Sequence, residues 1–130
     1  MAASSNASVA ETLNSFFRSV ESLQLESVAP FFEEDAQMFS PLGAFPARLD
    51  GRAAIMAQFK AIADFVRQAP EPLKIEPRDL NIREHGDVAL ITFHLQPNAG
   101  PLHRRTFMMR RGASGWRIAH IHASIASTTM

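Results

Sequence analysis

Histidine is the side chain whose charge changes nearest neutral pH, so the five histidines are the first residues to weigh as proton carriers or metal ligands. Four of them fall in the last third of the chain, and three of these, His94, His120 and His122, share one face of stretches that alternate like strands. On an extended strand His120 and His122 point to one face with Cα atoms about 7 Å apart. Adding His94 on the same face raises the question of a three-histidine zinc site. The expected register argues against it. Arg105 falls between His94 and His122, the outer pair is then roughly 9.5 Å apart, and a guanidinium repels a cation. The expectation is no metal and no cofactor, with the histidines in a hydrogen-bonded polar row at a dimer interface. A catalytic histidine is the alternative.

The other reactive types point to little chemistry. There is no cysteine, hence no thiol nucleophile, disulfide or thiolate metal site. No Ser-His-acid array, phosphate loop or dinucleotide fingerprint is present. Asp35 and Asp50 read as loop or cap residues before they read as bases.

Three helices and a run of strands must position these residues. Ser8-Val-Ala-Glu11 has the form of a capping box. After it Leu13, Phe16, Phe17, Val20 and Leu23 recur at spacings of three and four, one buried helical stripe. A shorter helical turn runs from about Glu26 to Glu33, and Asp35 to Phe39 reads as a short strand. Pro41-Leu-Gly43 and Phe45-Pro46 make irregular chain. Asp50-Gly-Arg52 opens the third helix, with Asp50 the candidate cap, and Pro70 and Pro72 close it after about Arg67. Strands follow at roughly 73–84, 87–96, 103–112 and 115–125. Pro77 cannot donate a ladder hydrogen bond, which puts the first of these at an edge.

Placing Gln96 opposite His103 and Arg111 opposite Trp116 sorts the strands into two faces. One carries His94, Arg105, Phe107, Met109, Trp116, Ile118, His120 and His122, a mixed surface suited to a partner protein. The other carries Ala89, Ile91, Phe93, Leu95, Thr106, Met108, Ala119, Ile121, Ala123 and Ile125. This second face is the expected partner of the phenylalanine-rich helices.

Composition bounds the class. The chain has 130 residues, 46% hydrophobic and 20% charged, in keeping with one globular domain over 8–125, a flexible N-terminus 1–7 and a tail 126–130. The start, Met1 to Ser8, lacks the basic and apolar regions of a secretory signal, and no apolar run approaches a membrane span. A cytoplasmic protein is expected, with no membrane partner. Net charge is zero but uneven: all 13 acidic residues lie in 1–87, whereas 88–130 holds Arg104, Arg105, Arg110, Arg111, Arg117 and no acid. Pairing of these arginines with carboxylates of the helical half is expected, and nucleic acid is not.

The order of helix, short helix, Glu34-Asp35-Ala36, Pro41-Leu-Gly43, Asp50-Gly51-Arg52-Ala-Ala-Ile55 and a final Trp116-Arg-Ile-Ala-His-Ile-His-Ala-Ser124 resembles the nuclear transport factor 2-like superfamily, in particular its SnoaL-like branch. That branch includes ketosteroid isomerases, and the ending is similar to the association domain of calmodulin-dependent protein kinase II. The resemblance implies an α+β, cone-shaped, cystatin-like fold, three helices packed on a curved antiparallel sheet, and a homodimer through the convex sheet face. It also implies where isomerase chemistry would sit. The base position falls on Ser40, the tyrosine donor near Phe16, and the protonated acid near Phe107 or Met108. None of these residues matches that mechanism. The cone arginines of the kinase domains fall near Met56, Leu95, Thr106 and Ala123, none of them basic. What the resemblance leaves is an apolar cone for a small hydrophobic ligand. Its expected lining is Phe16, Phe17, Val20, Met56 and Phe59 from the helices, Phe32, Phe39 and Phe45 from the turns and first strand, and Phe93, Thr106, Met108 and Ile121 from the sheet. The competing reading is that these side chains simply fill a core. An enzyme of the same superfamily (isomerase, cyclase or dehydratase) and a pure oligomerisation module are the alternatives.

Overall fold

A computed structural model describes residues 6–97 and 100–126, so most of the N-terminal segment 1–7 and of the tail 126–130 lies outside the described residues. Helix α1 spans Val9–Glu21 and starts on the expected box. The Ser8 hydroxyl accepts from the Glu11 amide at 3.1 Å, and the Glu11 carboxylate accepts from the Ser8 amide at 2.9 Å. A short helix α2, Leu25–Val28, runs into a single 3₁₀ turn at Ala29–Phe31, with Pro30 where a missing amide is tolerated. Strand β1, Phe32–Phe39, is longer than the sequence pattern suggests, and a short strand β2, Arg48–Asp50, pairs back onto it.

Helix α3 spans Arg52–Val66, but Asp50 does not cap it. Gly51, at φ +92, holds the cap position without a side-chain bond, and Asp50 instead accepts from Gln37 and Arg48 within the β1–β2 pair. Pairing to β1 has turned Asp50 away from the helix start.

Strands β3 (Arg78–His85), β4 (Val88–Leu95), β5 (His103–Gly112) and β6 (Gly115–Ile125) complete a six-stranded sheet in the order β2-β1-β6-β5-β4-β3. β3 lies at an edge, as Pro77 requires, and begins just after that proline rather than at 73.

The register corrects the expected faces. Leu95, not Gln96, stands opposite His103, so Phe93 faces Arg105, Ile91 faces Phe107 and Ala89 faces Met109. A slip of one residue turns every side chain of a strand over. Arg105, Phe107 and Met109 therefore point into the core, and Thr106 and Met108 point out. Arg111 does pair with Trp116, but Ala119 is an extra residue between the Met109–Ile118 and Met108–His120 pairs. This bulge lets Trp116 and Ile118 share the inner face with Ile121 and Ala123, while His120 and His122 stay outside. Trp116, Phe107, Met109 and Ile118, expected at a dimer interface, are at most 5% exposed and belong to the core.

The core itself is aromatic. Phe16 lies 5.6 Å from Phe31, 5.6 Å from Phe32 and 5.8 Å from Phe107, each edge-on. Phe17 and Phe107 close on Phe93 at 5.4 and 5.3 Å. Edge-to-face packing at these distances fills space and adds attraction beyond burial alone. Two of the C-terminal arginines pair with carboxylates, Arg110 with Glu33 at the start of β1 and Arg111 with Asp87, which belongs to the β3–β4 turn rather than to the helical half. No helix among the described residues is long and apolar enough to cross a membrane.

Candidate functional site

The aromatic core closes the depth of the cone, so any site must lie at one of its ends or on its outer face. One end is marked by the chain connections. The Glu21 carboxylate at the end of α1 accepts from the Ile75 amide at 2.6 Å, and Arg78, three residues on, pairs with His94. The C-terminal end of α1 thus lies over the strand ends that carry Leu95, His103 and Arg105. Arg67, capping α3, donates to the Leu23 carbonyl at 2.7 Å and brings the end of that helix to the same place. β1 runs parallel to β6 with Phe39 beside His122, so the loop after Ser40 also starts here. An open depression of about 460 Å³ lies over the ends of β1 and β6, lined by Phe39, Ser40, Pro41, Ala47, His122, Ala123, Ser124 and Ile125, so it takes residues from both faces of the sheet.

Apolar side chains at this end and along the helix–sheet seam are only half buried. Val20, Phe45, Met56, Phe59 and Leu95 pack against the core cluster yet keep part of their surface open. Arg105 belongs to the same end. It stands between Phe93 and Ala123, which are 3% and 4% exposed, and is itself half-buried. Burial holds its guanidinium below the ordinary arginine pKa, although arginine stays charged in proteins. It donates to the Arg104 carbonyl at 3.1 Å and lies 3.4 Å from the His103 ring nitrogen Nδ1. Among the described residues no carboxylate pairs with it. Burial first, and the Arg105 charge second, hold His103 below its ordinary pKa of 6.5.

The expected pocket lining divides into three. Phe16, Phe17, Phe32, Phe93 and Ile121 form the buried floor. Val20, Phe45, Met56 and Phe59 are half-buried around it. Phe39, Thr106 and Met108 are placed on the outer face by the register, and the Phe39 ring packs 5.6 and 5.2 Å from His120 and His122. Phe107, Arg105 and His103, absent from the expected lining, replace them inside.

The histidine row is outside the cone, as the sequence implied, but Arg104 rather than Arg105 lies opposite His94. Arg104 donates to Ser124 Oγ at 3.2 Å. Asp79, forced to φ +53 by a bulge in β3, brings its carboxylate 3.2 Å from His94 Nδ1. Burial, then the neighbouring His122, hold His120 below its ordinary pKa. Among the described residues no three His, Asp or Glu side chains converge as a metal site would need. At the positions of isomerase chemistry, Phe16 and Phe107 meet each other, and Ser40 Oγ accepts from the Leu42 amide at 3.2 Å.

Comparison with solved structures shows the same fold. A dehydratase candidate of the nuclear transport factor 2-like family from Streptomyces avermitilis aligns over 89% of this chain and 91% of its own, with 20% identity and a TM-score of 0.74. An uncharacterised protein with a cystatin-like fold from Caulobacter vibrioides aligns over 89% and 85%, at 18% identity and a TM-score of 0.70. A candidate calcium/calmodulin-dependent protein kinase type II association domain from Thiobacillus denitrificans aligns over 92% and 96%, at 20% identity and a TM-score of 0.70. A search of curated proteins finds no match. The family profile described as a SnoaL-like domain matches residues 9–128. The chain belongs to the SnoaL-like domain family.

Proposed function

We propose that this SnoaL-like chain is a cytoplasmic small-molecule-binding domain that takes a largely apolar ligand at the open end of its cone and works as a homodimer. The observation that carries the first part is the division of the interior. The floor is filled by phenylalanine rings, whereas Val20, Phe45, Met56, Phe59 and Leu95 are left half-exposed. Binding sites are commonly concave, apolar and supplied with a few polar groups, and Arg105 and His103 are such groups. The homodimer is supported by the outer face of the sheet, with different residues from those first expected. Phe39, Val88 and Leu90 are 39, 36 and 40% exposed there, beside the half-buried Met108 and His120. Apolar groups clustered on one sheet face favour a second copy. A second reading, a pure association module, draws support from the filled floor together with this face.

Native mass spectrometry of protein purified from its own host tests both readings. The binding reading expects a dimer carrying a small organic molecule that is released on unfolding. A ligand-free dimer, unchanged by added organic extract of the host, favours association alone. A ligand-free monomer overturns both.

A further inference from the structure

The fold leaves one buried polar group unanswered. Gln58, on the inner face of α3, is 2% exposed, and its Oε1 atom has no hydrogen-bond partner among the described residues. Its Nε2 group reaches the Met38 sulfur at 3.8 Å, and a thioether is a weak acceptor. Buried polar atoms are nearly always paired, because leaving one unpaired is costly. A trapped water is a poor partner here, since buried waters typically hold about three polar groups. Thr12 is the one other polar side chain buried among the described residues, and its hydroxyl already donates to the Ser8 carbonyl at 2.9 Å. The sheet register places the amide near the open end. Met38 stands beside Ile121 on β6, and Ala123, the next residue on that face, lines the depression over the strand ends. Alternate residues of a strand are about 7 Å apart, so Met38 lies one such step inward from the wall of the depression. Met38 and Gln58 are both buried, and neither lines the depression itself.

We propose that Gln58 is the polar anchor for the ligand taken at the open end, and that this ligand is a neutral, largely apolar molecule carrying a hydroxyl group. The hydroxyl donates to Gln58 Oε1 after the Met38 side chain swings aside. This rests on the open-end reading above. Methionine is unbranched and repacks readily, and the move gives up only the weak contact to its sulfur. The ligand chemistry follows from which atom is free. Oε1 is an acceptor and takes a donor, so an ether or ketone oxygen leaves it unpaired. A hydroxyl supplies the donor, and its own lone pairs can accept from Nε2. An ionised ligand group does not suit the place, because the buried residues include no charged side chain to meet it.

The test uses two isomeric probes, 1-octanol and heptyl methyl ether, titrated calorimetrically into the wild-type protein and the Gln58→Met variant. The probes share their atoms and differ in the hydrogen-bond donor. Methionine keeps the length of glutamine without the buried amide, so the variant should fold at least as stably as the wild type. The ratio of octanol affinity to ether affinity should be about tenfold higher in the wild type than in Gln58→Met, the scale of one buried hydrogen bond. A ratio that is the same in both proteins overturns the hydroxyl proposal and leaves the open-end reading standing. Binding of neither probe to the wild type overturns both. The side-chain amide resonances of Gln58 give a second readout that a merely altered packing would not reproduce. Octanol should shift them and the ether should not. Gln58 amide resonances that stay in place under saturating octanol overturn the proposal.

Discussion

Replacing Gln58 by methionine should stabilise this protein. Gln58 sits on the inner face of α3 at 2% exposure, with its Nε2 group 3.8 Å from the Met38 sulfur and its Oε1 atom without a hydrogen-bond partner among the described residues. In the unfolded chain that oxygen is solvated, so folding desolvates it with nothing in exchange. Such a loss costs about 1–3 kcal/mol, and the thioether contact returns little of it. Methionine has nearly the same length and the same freedom from branching, and its helix propensity is close to that of glutamine. The expected gain is about 1–2 kcal/mol, or a melting temperature about 3–8 °C higher. Thermal unfolding followed by circular dichroism, together with urea titration, measures it. Gln58→Glu provides the opposite sign, with a larger loss at mildly alkaline than at mildly acidic pH, because there the buried carboxylate must carry charge. A Gln58→Met protein no more stable than the wild type would refute the reasoning, and would mean that Oε1 has a bound water or another partner.

Leu90→Arg or Met108→Arg on the outer sheet face should convert a dimer to a folded monomer in sedimentation, whereas Gln68→Arg, on the chain beyond α3, should leave it a dimer. Trp116, packed in the core with the Arg111 guanidinium 5.1 Å above its ring, should fluoresce as a buried indole and resist aqueous quenchers. Solvent-exposed emission would contradict the register. Ser8→Ala should cost about 1 kcal/mol by removing the α1 cap, with a matching fall in the urea midpoint. The depressed pKa values of His103 and His120 set the sign of a pH effect. Both histidines take up protons more readily unfolded than folded. Their contribution is therefore fully present above about pH 6.5 and is lost as pH falls from there through the lower folded values. Urea midpoints should decline over that window, and His103→Gln should flatten part of the decline.

The helices were legible because their signals are local. The Ser8–Glu11 box, the Leu13–Phe16–Phe17–Val20 stripe and the Pro70 stop each act within a few residues, and α1 and α3 lie where those signals put them. The sheet was less legible because register depends on a loop. Choosing Gln96 rather than Leu95 opposite His103 exchanged the two faces of β5, removing Arg105 and Phe107 from the interior and adding Thr106 and Met108 to it. A cue was available within the strand itself. His103, Arg105, Phe107 and Met109 make the alternate set that holds two of the strand's three large apolar residues, while Arg104 and Arg110 flank the other set, which holds only Met108. The Ala119 bulge left no comparable sign, since alternation alone cannot show where one residue is skipped. Strand β2 and the diversion of Asp50 arise from pairing across an irregular loop, which no short window contains.

The most direct test of the open-end site is a methyl nuclear magnetic resonance titration with 1-octanol, with Val20, Met56, Leu95, Leu90 and Met108 assigned. Saturable shifts are expected at Val20, Met56 and Leu95, on the cone side, and none at Leu90 and Met108, on the outer face. Shifts confined to Leu90 and Met108, or no saturable shift at any of the five, would contradict it.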